Sequence, residues 1–162
     1  MNHIYILTGG NLGNKMANLK KATQILENEV GQIVKSSSIY KTAAWGNTDQ
    51  PDFYNQVHII KTSLAPDQLM ETILQIEETM GRVRTKKNAA RIIDIDILFY
   101  NDEIINEPGL TIPHPEIPNR RFVLEPLNEI APDFVHPSLK KKITELLHTS
   151  TDTLKVTPVK VS

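Results

Sequence analysis

The stretch that decides the fold is Ile92-Ile93-Asp94-Ile95-Asp96-Ile97-Leu98-Phe99. Apolar residues, most of them branched, stand at nearly every position, which favours a β-strand, whereas Asp is among the poorest strand formers. Strand alternation puts both carboxylates on one face together with Ile92 and Leu98, and it puts Ile93, Ile95, Ile97 and Phe99 on the opposite face. The Cα atoms of Asp94 and Asp96 are then about 7 Å apart.

Two carboxylates that project together repel each other, and this repulsion raises their pKa values when nothing lies between them. A bound Mg²⁺ removes that penalty, because Mg²⁺ prefers oxygen ligands. The alternative is an ordinary strand whose polar face is solvated. Because Ile92 and Leu98 share the predicted face with the acids, that face is not simply polar, and a metal site at Asp94 and Asp96 becomes a serious candidate.

The composition is that of an ordinary globular protein, with 162 residues, 40% hydrophobic and 23% charged. We expect one domain over residues 1–162, and the loss of periodicity from about Thr149 leaves open a loosely ordered tail. No stretch approaches the ~20 apolar residues of a membrane span. The absence of cysteine excludes disulfides and thiolate catalysis and favours the cytoplasm. A net charge of −1 argues against general affinity for nucleic acid.

The remaining patterns predict a β-α-β-β-α-β order of elements. A first strand covers residues 3–7, a long β-like run covers 32–42, and a further strand covers 57–60. The first helix has Asn11 or Asn14 as its cap and Gly31 as its end, and the second begins near Pro66 and stops at Gly81. A final amphipathic helix carries Leu139, Ile143, Leu146 and Leu147, with residues 140–142 on its exposed face.

Five cations occur in the ten residues 82–91, directly before the acidic strand. Runs of charge are usually solvated surface. Beside paired carboxylates, however, they favour a site for a polyphosphate chelated by Mg²⁺, in which the acids hold the metal and the cations hold the phosphate oxygens. Glu77, on the border of the second helix's apolar stripe, is by itself more typical of a partner for a nearby Arg than of a catalyst.

Three other segments permit two interpretations each. Gly9-Gly10 after the first strand can cradle phosphate or simply form a turn. Phe53 and Asn55, after the long polar loop that carries the only Trp, can bind a flat heterocycle or cover the edge of the core. His114, held between two prolines, can be structural or can donate a hydrogen bond to phosphate.

Residues 87–98, Lys87-Asn88-Ala89-Ala90-Arg91-Ile92-Ile93-Asp94-Ile95-Asp96-Ile97-Leu98, resemble the signature of the 6-hydroxymethyl-7,8-dihydropterin pyrophosphokinases of folate biosynthesis. The resemblance spans about residues 4–148, with the motifs in order and at the expected separations. The other motifs are Gly9-Gly10-Asn11-Leu12-Gly13, residues 40–55, Gly81-Arg82-Val83-Arg84, Ile112-Pro113-His114-Pro115 and Arg120-Arg121-Phe122-Val123-Leu124.

This resemblance implies an α+β fold, a ferredoxin-like sandwich in which a mostly antiparallel sheet carries helices on one side. It also implies transfer of the terminal diphosphate of ATP to the hydroxymethyl group of the dihydropterin, with release of AMP. ATP is then a co-substrate, and two Mg²⁺ ions are required. The implied partners are these small molecules alone, without nucleic acid or membrane, and the implied state is a monomer.

The resemblance also implies roles for individual residues. Asp94 and Asp96 are implied to bind the two metal ions and, with Arg82 and Arg91, to form the catalytic set. Positions that match contacts to ATP are Glu77, Arg82, Arg84, Arg91, Thr111, His114 and Arg120. Positions that match contacts to the pterin are Thr42, Ala44, Trp45, Phe53, Asn55 and Phe122, with the two Phe rings on either side of the heterocycle.

The chain departs from the family pattern at three places. Asn88-Ala89-Ala90 stands where a Trp-Gly-Pro stretch is common, in a loop that looks one residue shorter. Ala43 and Ala44 replace prolines, and Gly109 stands where some members have an Arg. Two alternatives to the enzyme remain: a nucleic-acid module on the same scaffold, and a sensor that binds pterin or nucleotide without turnover.

Overall fold

An antiparallel sheet of six strands forms the centre of the computed structural model, which describes residues 1–43, 51–82 and 91–159. The strands are β1 (Asn2–Gly10), β2 (Gly31–Ser36), β3 (Tyr40–Thr42), β4 (Phe53–Thr62), β5 (Asp94–Tyr100), β6 (Ile105–Glu107), β7 (Leu110–Ile112) and β8 (Val156–Pro158). The helices are α1 (Lys15–Glu29), α2 (Pro66–Thr79), α3 (Arg121–Ile130) and α4 (Ile143–Thr149). β6 and β7 form a separate hairpin.

The order of strands in the main sheet is β5-β1-β4-β3-β8, and β2 also pairs with β4. β1 lies between β4 and β5 and pairs antiparallel with both. Its residues from Ile4 to Gly10 are all buried, which explains why the sequence there is apolar without alternation. The α+β prediction with an antiparallel sheet is confirmed. The order from β1 to β5 is β-α-β-β-β-α-β rather than the predicted β-α-β-β-α-β, because the run predicted over residues 32–42 is divided into β2 and β3.

The two predicted helices begin where their caps indicate. The Asn14 side chain accepts a hydrogen bond from the Ala17 N–H at 3.1 Å and caps α1, and Pro66 opens α2. Gly81, with φ of 90°, ends α2 as predicted. Gly31 has a different role, because it begins β2, where a Cβ would collide with the Lys61 carbonyl of the paired strand.

Helices cover both faces of the sheet, so the prediction of helices on one side is wrong. One cluster of buried residues joins the sheet to α1 and α2, and a second joins it to α3 and α4. α3 was not predicted, because Pro126 lies inside it and removes a backbone donor from a segment of only ten residues. Among the described residues, no helix has both the length and the apolarity that crossing a membrane demands.

β5 does not alternate to its end. Tyr5 pairs with Phe99 whereas Ile6 pairs with Ile97, so Leu98 is an extra residue in a β-bulge. Leu98 and Phe99 both pack with the α3 cluster, and the prediction that Phe99 shares a face with Ile97 is therefore wrong. Ile92 precedes the strand and packs against the cluster of α1 and α2, not beside the acids as predicted.

The C-terminal helix differs from the predicted one. α4 begins at Ile143, after the exposed Leu139 and after residues 140–142, so these lysines precede the helix and do not form its exposed face. In the described part of the tail, β8 pairs antiparallel with β3, and the Asp152 side chain accepts a hydrogen bond from the backbone at the start of α3. The loss of periodicity after Thr149 marks an extended segment that depends on contacts far away in sequence.

Candidate active site

A cleft with about 710 Å³ of empty space opens on the α3 side of the sheet. Its floor comes from β1, β4 and β5, and its wall from the end of β3 and the first turn of α3. The side chains that line it are Leu7, Thr42, Ala43, Phe53, Asn55, Arg91, Asp94, Asp96, Leu98, His114, Arg120, Phe122 and Val123.

Asp94 and Asp96 face this cleft together with Leu98, as strand alternation predicts for these three residues. Asp94 is the more strongly paired of the two acids. Its Oδ1 accepts a hydrogen bond from Arg82 Nη1 at 2.5 Å, and its Oδ2 accepts one from Arg91 Nη1 at 3.0 Å. These two cations come from the two ends of the basic segment, so the paired charges that the sequence suggested are in direct contact.

Glu77 binds Arg82, the residue that pairs with Asp94. Its Oε2 accepts hydrogen bonds from Arg82 Nη1 and from the Ile95 N–H, both at 2.8 Å, and the residue is 3% exposed. Glu77 and Arg82 are not among the side chains that line the cleft. The structure thus gives Glu77 an Arg partner, as its position on the border of the α2 stripe predicts.

Asp96 is the acid with the unusual protonation. Its pKa is raised to about 7, first by burial and then by the charges of Asp94 and Glu77, while Arg82 and Arg120 oppose the shift. Three carboxylates therefore crowd this corner of the molecule. A divalent cation at Asp94 and Asp96 would relieve the crowding, and their oxygens are the ligands that Mg²⁺ prefers. The donor set fits such an ion.

The Gly9-Gly10 pair serves close packing, because β1 continues through both residues. A Cβ on Gly9 would collide with Oδ1 of Asn55, and a Cβ on Gly10 would collide with the Ile92 carbonyl oxygen. The next residue, Asn11, donates its N–H to the Arg91 carbonyl at 3.0 Å and accepts the Arg91 N–H at 2.9 Å. Close packing therefore accounts for both glycines: Gly9 lies against Asn55, whereas Gly10 and Asn11 lie against the backbone of residues 91–92.

The β3–β4 end of the cleft contains two buried polar atoms with unused hydrogen-bonding capacity. Within the part of the chain that the structure describes, Thr42 Oγ1 and Asn55 Nδ2 have no hydrogen-bond partner. Both residues are at most 4% exposed and both line the cleft. Because an unpaired buried donor is costly, these atoms favour a ligand with complementary polar groups.

An aromatic ring and an arginine lie together at two places in the cleft. The Arg91 guanidinium carbon lies 5.5 Å from the ring centre of Phe53, and that of Arg120 lies 5.7 Å from Phe122. Each pair offers a flat apolar surface next to a fixed cation. A planar ring system with a negatively charged substituent would match both.

A second cleft, with about 600 Å³ of empty space, lies at the β5 edge of the sheet, between α2 and β7. Its residues are Met70, Ile95, Asp96, Ile97, Gly109, Leu110, Thr111, His114 and Pro115. Asp96 and His114 line both clefts. The edge cleft is largely apolar, which suits the base of a nucleotide. Because the two clefts share Asp96 and His114, a ligand in the edge cleft can extend to the acids.

His114 is fixed between the two clefts by backbone contacts. Its N–H donates to the Leu98 carbonyl at 3.1 Å, and its Nδ1 accepts the Glu116 N–H at 3.1 Å. Burial lowers the pKa of His114, and the nearby Arg120 lowers it further against the opposing charges of Asp94 and Glu116. A neutral imidazole that accepts at Nδ1 carries its proton on Nε2, which makes it a hydrogen-bond donor.

The structure thus brings together most of the residues that the sequence singled out. The main cleft gathers Thr42, Phe53, Asn55, Arg91, Asp94, Asp96, His114, Arg120 and Phe122, and the edge cleft contains Thr111. Ala44, Trp45 and Arg84 lie outside the described residues, as does the Asn88-Ala89-Ala90 departure. Apolar wall residues such as Leu7, Met70 and Val123 were missed, because apolar residues in a strand or helix give no sign that they face a cleft.

Comparison with known proteins identifies relatives of this chain. A model of the 7,8-dihydro-6-hydroxymethylpterin-pyrophosphokinase family matches residues 5–132. A 2-amino-4-hydroxy-6-hydroxymethyldihydropteridine pyrophosphokinase of Synechocystis is 41% identical over 86% of this chain and 71% of that protein. A folic acid synthesis protein of Dictyostelium discoideum is 43% identical over 85% of this chain, which spans only 21% of that longer protein.

A solved structure shows a similar fold. The wild-type HPPK-DHPS protein of Plasmodium falciparum superposes with a TM-score of 0.77, over 91% of this chain and 43% of that one. The two sequences are 20% identical, so this likeness shows the fold alone. Together with the family model and the more similar relatives, the conclusion is that this chain belongs to the 7,8-dihydro-6-hydroxymethylpterin-pyrophosphokinase family.

Proposed function

We propose that this chain performs the reaction for which its family is named, the transfer of diphosphate from ATP to the hydroxymethyl group of 6-hydroxymethyl-7,8-dihydropterin. The products are AMP and the pterin diphosphate, a step in folate biosynthesis. The observation that carries this proposal is that the two clefts meet at Asp96 and His114. One cleft has the unpaired polar atoms and aromatic rings that a pterin needs, and the other has an apolar wall for a nucleotide base.

In this proposal the pterin occupies the main cleft. Its ring lies between Phe53 and Phe122, and Asn55 reads the amide edge of the heterocycle with help from Thr42. The unused Asn55 Nδ2 and Thr42 Oγ1 support this assignment, because a pterin offers a carbonyl and ring nitrogens to such groups. Ala44 and Trp45 belong to the same proposal on the strength of the resemblance alone.

ATP occupies the edge cleft, with its base against the apolar wall near Thr111 and its phosphates directed toward the acids. Arg91, His114 and Arg120 line the main cleft and are the proposed phosphate ligands, with Arg82 and Arg84 from the basic segment. Asp94 and Asp96 would hold two Mg²⁺ ions. Glu77 contributes through Arg82, which it holds by a hydrogen bond of 2.8 Å.

The chemistry is an in-line displacement at the β-phosphorus of ATP by the hydroxymethyl oxygen, with AMP as the leaving group. Metal ions bound at Asp94 and Asp96 would neutralise the negative charge of the phosphate oxygens. Arg91 and Arg120 are positioned to stabilise charge that develops on the phosphoryl oxygens. The ionisable groups that line the main cleft are assigned here to the metal ions and the phosphates, so positioning of the two substrates supplies most of the rate, and the alcohol proton leaves to water or phosphate.

The test is to identify the products formed from ATP and the dihydropterin. We expect AMP and pterin diphosphate in equal amounts, with no product when Mg²⁺ is removed by EDTA and restored activity when Mg²⁺ is added back. Formation of ADP would overturn the proposal. Binding of both ligands without turnover would identify a sensor, and salt-dependent RNA binding without Mg²⁺ would identify a nucleic-acid module. A monomeric state and a cytoplasmic location complete the proposal.

A further inference from the structure

Helix α3 receives its N-terminal cap from a residue far along the chain. Arg120 occupies the N-cap position, and a guanidinium has only donors, so it cannot accept a hydrogen bond from the first turn. The acceptor is Asp152, whose Oδ2 receives the Arg121 N–H at 2.8 Å across 31 residues of sequence. Asp is among the preferred residues for this task, and its negative charge suits the positive end of a helix.

The Asp152 carboxylate is itself held in position by local hydrogen bonds. Its Oδ1 accepts the Leu154 N–H at 3.0 Å, and its own N–H donates to Ser150 Oγ at 3.3 Å. The residue is half-buried, so the tail presents a fixed acceptor to α3. These two local hydrogen bonds restrict the Asp152 side chain to the conformation that caps α3.

The far end of the same tail is fixed to β3. Thr42 pairs with Val156 and Lys41 with Thr157, and the Val159 N–H donates to the Ile39 carbonyl at 2.8 Å. The tail therefore runs from the start of α3 to the outer edge of β3. These are the two elements that form the wall of the main cleft, through Thr42 on β3 and Phe122 on α3.

We propose that Asp152 is a positioning residue for the pterin: by capping α3 it sets the place of Phe122 against the β3 wall. This inference rests on the proposed function. Phe122 follows the capped residue directly and moves with the first turn of α3. Arg120, on the nucleotide side, has separate support from Glu116, whose Oε2 lies 3.4 Å from its Nε. Loss of the cap should therefore affect the pterin more than ATP.

The test compares Asp152→Ala and Asp152→Asn with Glu145→Ala in steady-state kinetics and thermal unfolding of the full chain. Glu145 is the matched control, because its Oε1 accepts the Lys142 N–H at 3.2 Å and caps α4, which contributes no residue to either cleft. We expect Asp152→Ala to raise the KM for pterin by roughly fivefold, which corresponds to the free energy that one N-cap contributes. The KM for ATP should stay within about twofold of the wild-type value. Asn retains an acceptor oxygen, so Asp152→Asn should restore the wild-type KM to within about twofold.

Each other outcome overturns the inference. If Asp152→Ala and Glu145→Ala lower the melting temperature alike and both leave the KM for pterin unchanged, the cap is structural only. If Asp152→Asn behaves like Asp152→Ala, the hydrogen bond is not the cause. These outcomes leave the proposed function intact, because wild-type turnover in the same assay tests that separately. A wild-type chain that forms no pterin diphosphate would overturn the proposed function, and with it the role given to Asp152.

Discussion

The two faces of the sheet differ in what covers them. The α1 and α2 face is closed by two helices with regular apolar stripes, and its buried residues, such as Leu26 and Ile73, make one continuous cluster. The α3 and α4 face is covered by a ten-residue helix with an internal proline and by a seven-residue helix. Its cluster residues Leu7, Leu98 and Val123 also line the main cleft. The site thus lies on the face where core and cleft share side chains.

The same contrast holds for the buried ionisable groups. His58, toward α1, is fully buried and has partners on both ring nitrogens, Ser36 Oγ at 2.7 Å and Thr23 Oγ1 at 3.3 Å. Burial keeps it neutral by lowering its pKa to about 4. Asp96 faces the cleft among other carboxylates, and its pKa is raised to about 7. His58 therefore has both ring nitrogens paired within the protein, whereas the Asp96 carboxylate faces a cleft where a ligand can bind.

The largest expected effect is on the cleft face. Asp96→Asn should lower turnover by roughly a thousandfold, because an amide is a poor replacement for a carboxylate ligand of Mg²⁺. Stability should change in the opposite direction. A raised pKa means that the folded state favours the protonated acid, so Asp96 costs stability as the pH rises through about 7. Urea unfolding at pH 8 should therefore show the variant to be more stable, by on the order of 2 kcal/mol.

A variant that loses turnover and stability together would show that Asp96 supports the fold, and it would remove the proposed contrast between the two faces. Glu78→Gln is a suitable control, because Glu78 is an exposed acid on α2 that lines neither cleft. It should leave both turnover and unfolding unchanged.

On the α1 and α2 face, the expected effect is on stability alone. Ile73 is 1% exposed within the cluster, so Ile73→Ala should lower the free energy of unfolding by about 3 kcal/mol through lost burial and a residual cavity. At a temperature where the variant remains folded, kcat should stay within about twofold of wild type. Leu74→Ala, at a neighbouring position that is 42% exposed, is the control and should cost less than about 1 kcal/mol. A large loss of kcat in Ile73→Ala would mean that the two faces are coupled.

His58 offers a pH test of the same face. Its pKa is about 6.5 in the unfolded chain and about 4 in the folded one, so the unfolded state binds more protons between these values. The stability from neutral His58 is complete above pH 6.5 and is lost as the pH falls toward 4, by about 3 kcal/mol in total. Urea unfolding at several pH values should show this slope in the wild type and a shallower one in His58→Gln. Equal slopes in both proteins would contradict the assignment.

The smallest effect concerns Gly9, which lies on β1 next to Asn55 in the main cleft. Gly9→Ala places a Cβ against Asn55 Oδ1 and should weaken binding of the dihydropterin by roughly tenfold, measured by calorimetry. Asn55→Ala should weaken binding by a similar factor, and the double variant should add little, because both changes remove the same contact. Additive losses would show that Gly9 acts on the ligand by another route.

Several parts of the site could be predicted from short stretches of sequence. The shared face of Asp94 and Asp96 follows from strand alternation over three residues, and the Asn14 cap and the Gly81 stop follow from local backbone chemistry. The link from Glu77 through Arg82 to Asp94 could be predicted only in part. The position of Glu77 on the border of its helix indicated an Arg partner, but not that Arg82 would also hold Asp94.

By itself, the sequence determined the two regular helices and the pair of acids on one strand, because each depends on neighbours within a few residues. The antiparallel α+β class followed from the family resemblance. The tertiary structure alone decided the bulge at Leu98, the existence of α3 despite Pro126, and the cap that Asp152 provides. These features depend on partners that are distant in sequence: a second strand, a covering sheet face and the N-terminus of another helix. No local periodicity encodes such contacts, and so the wall of the main cleft, formed by the end of β3 and the first turn of α3, could not be predicted from the sequence.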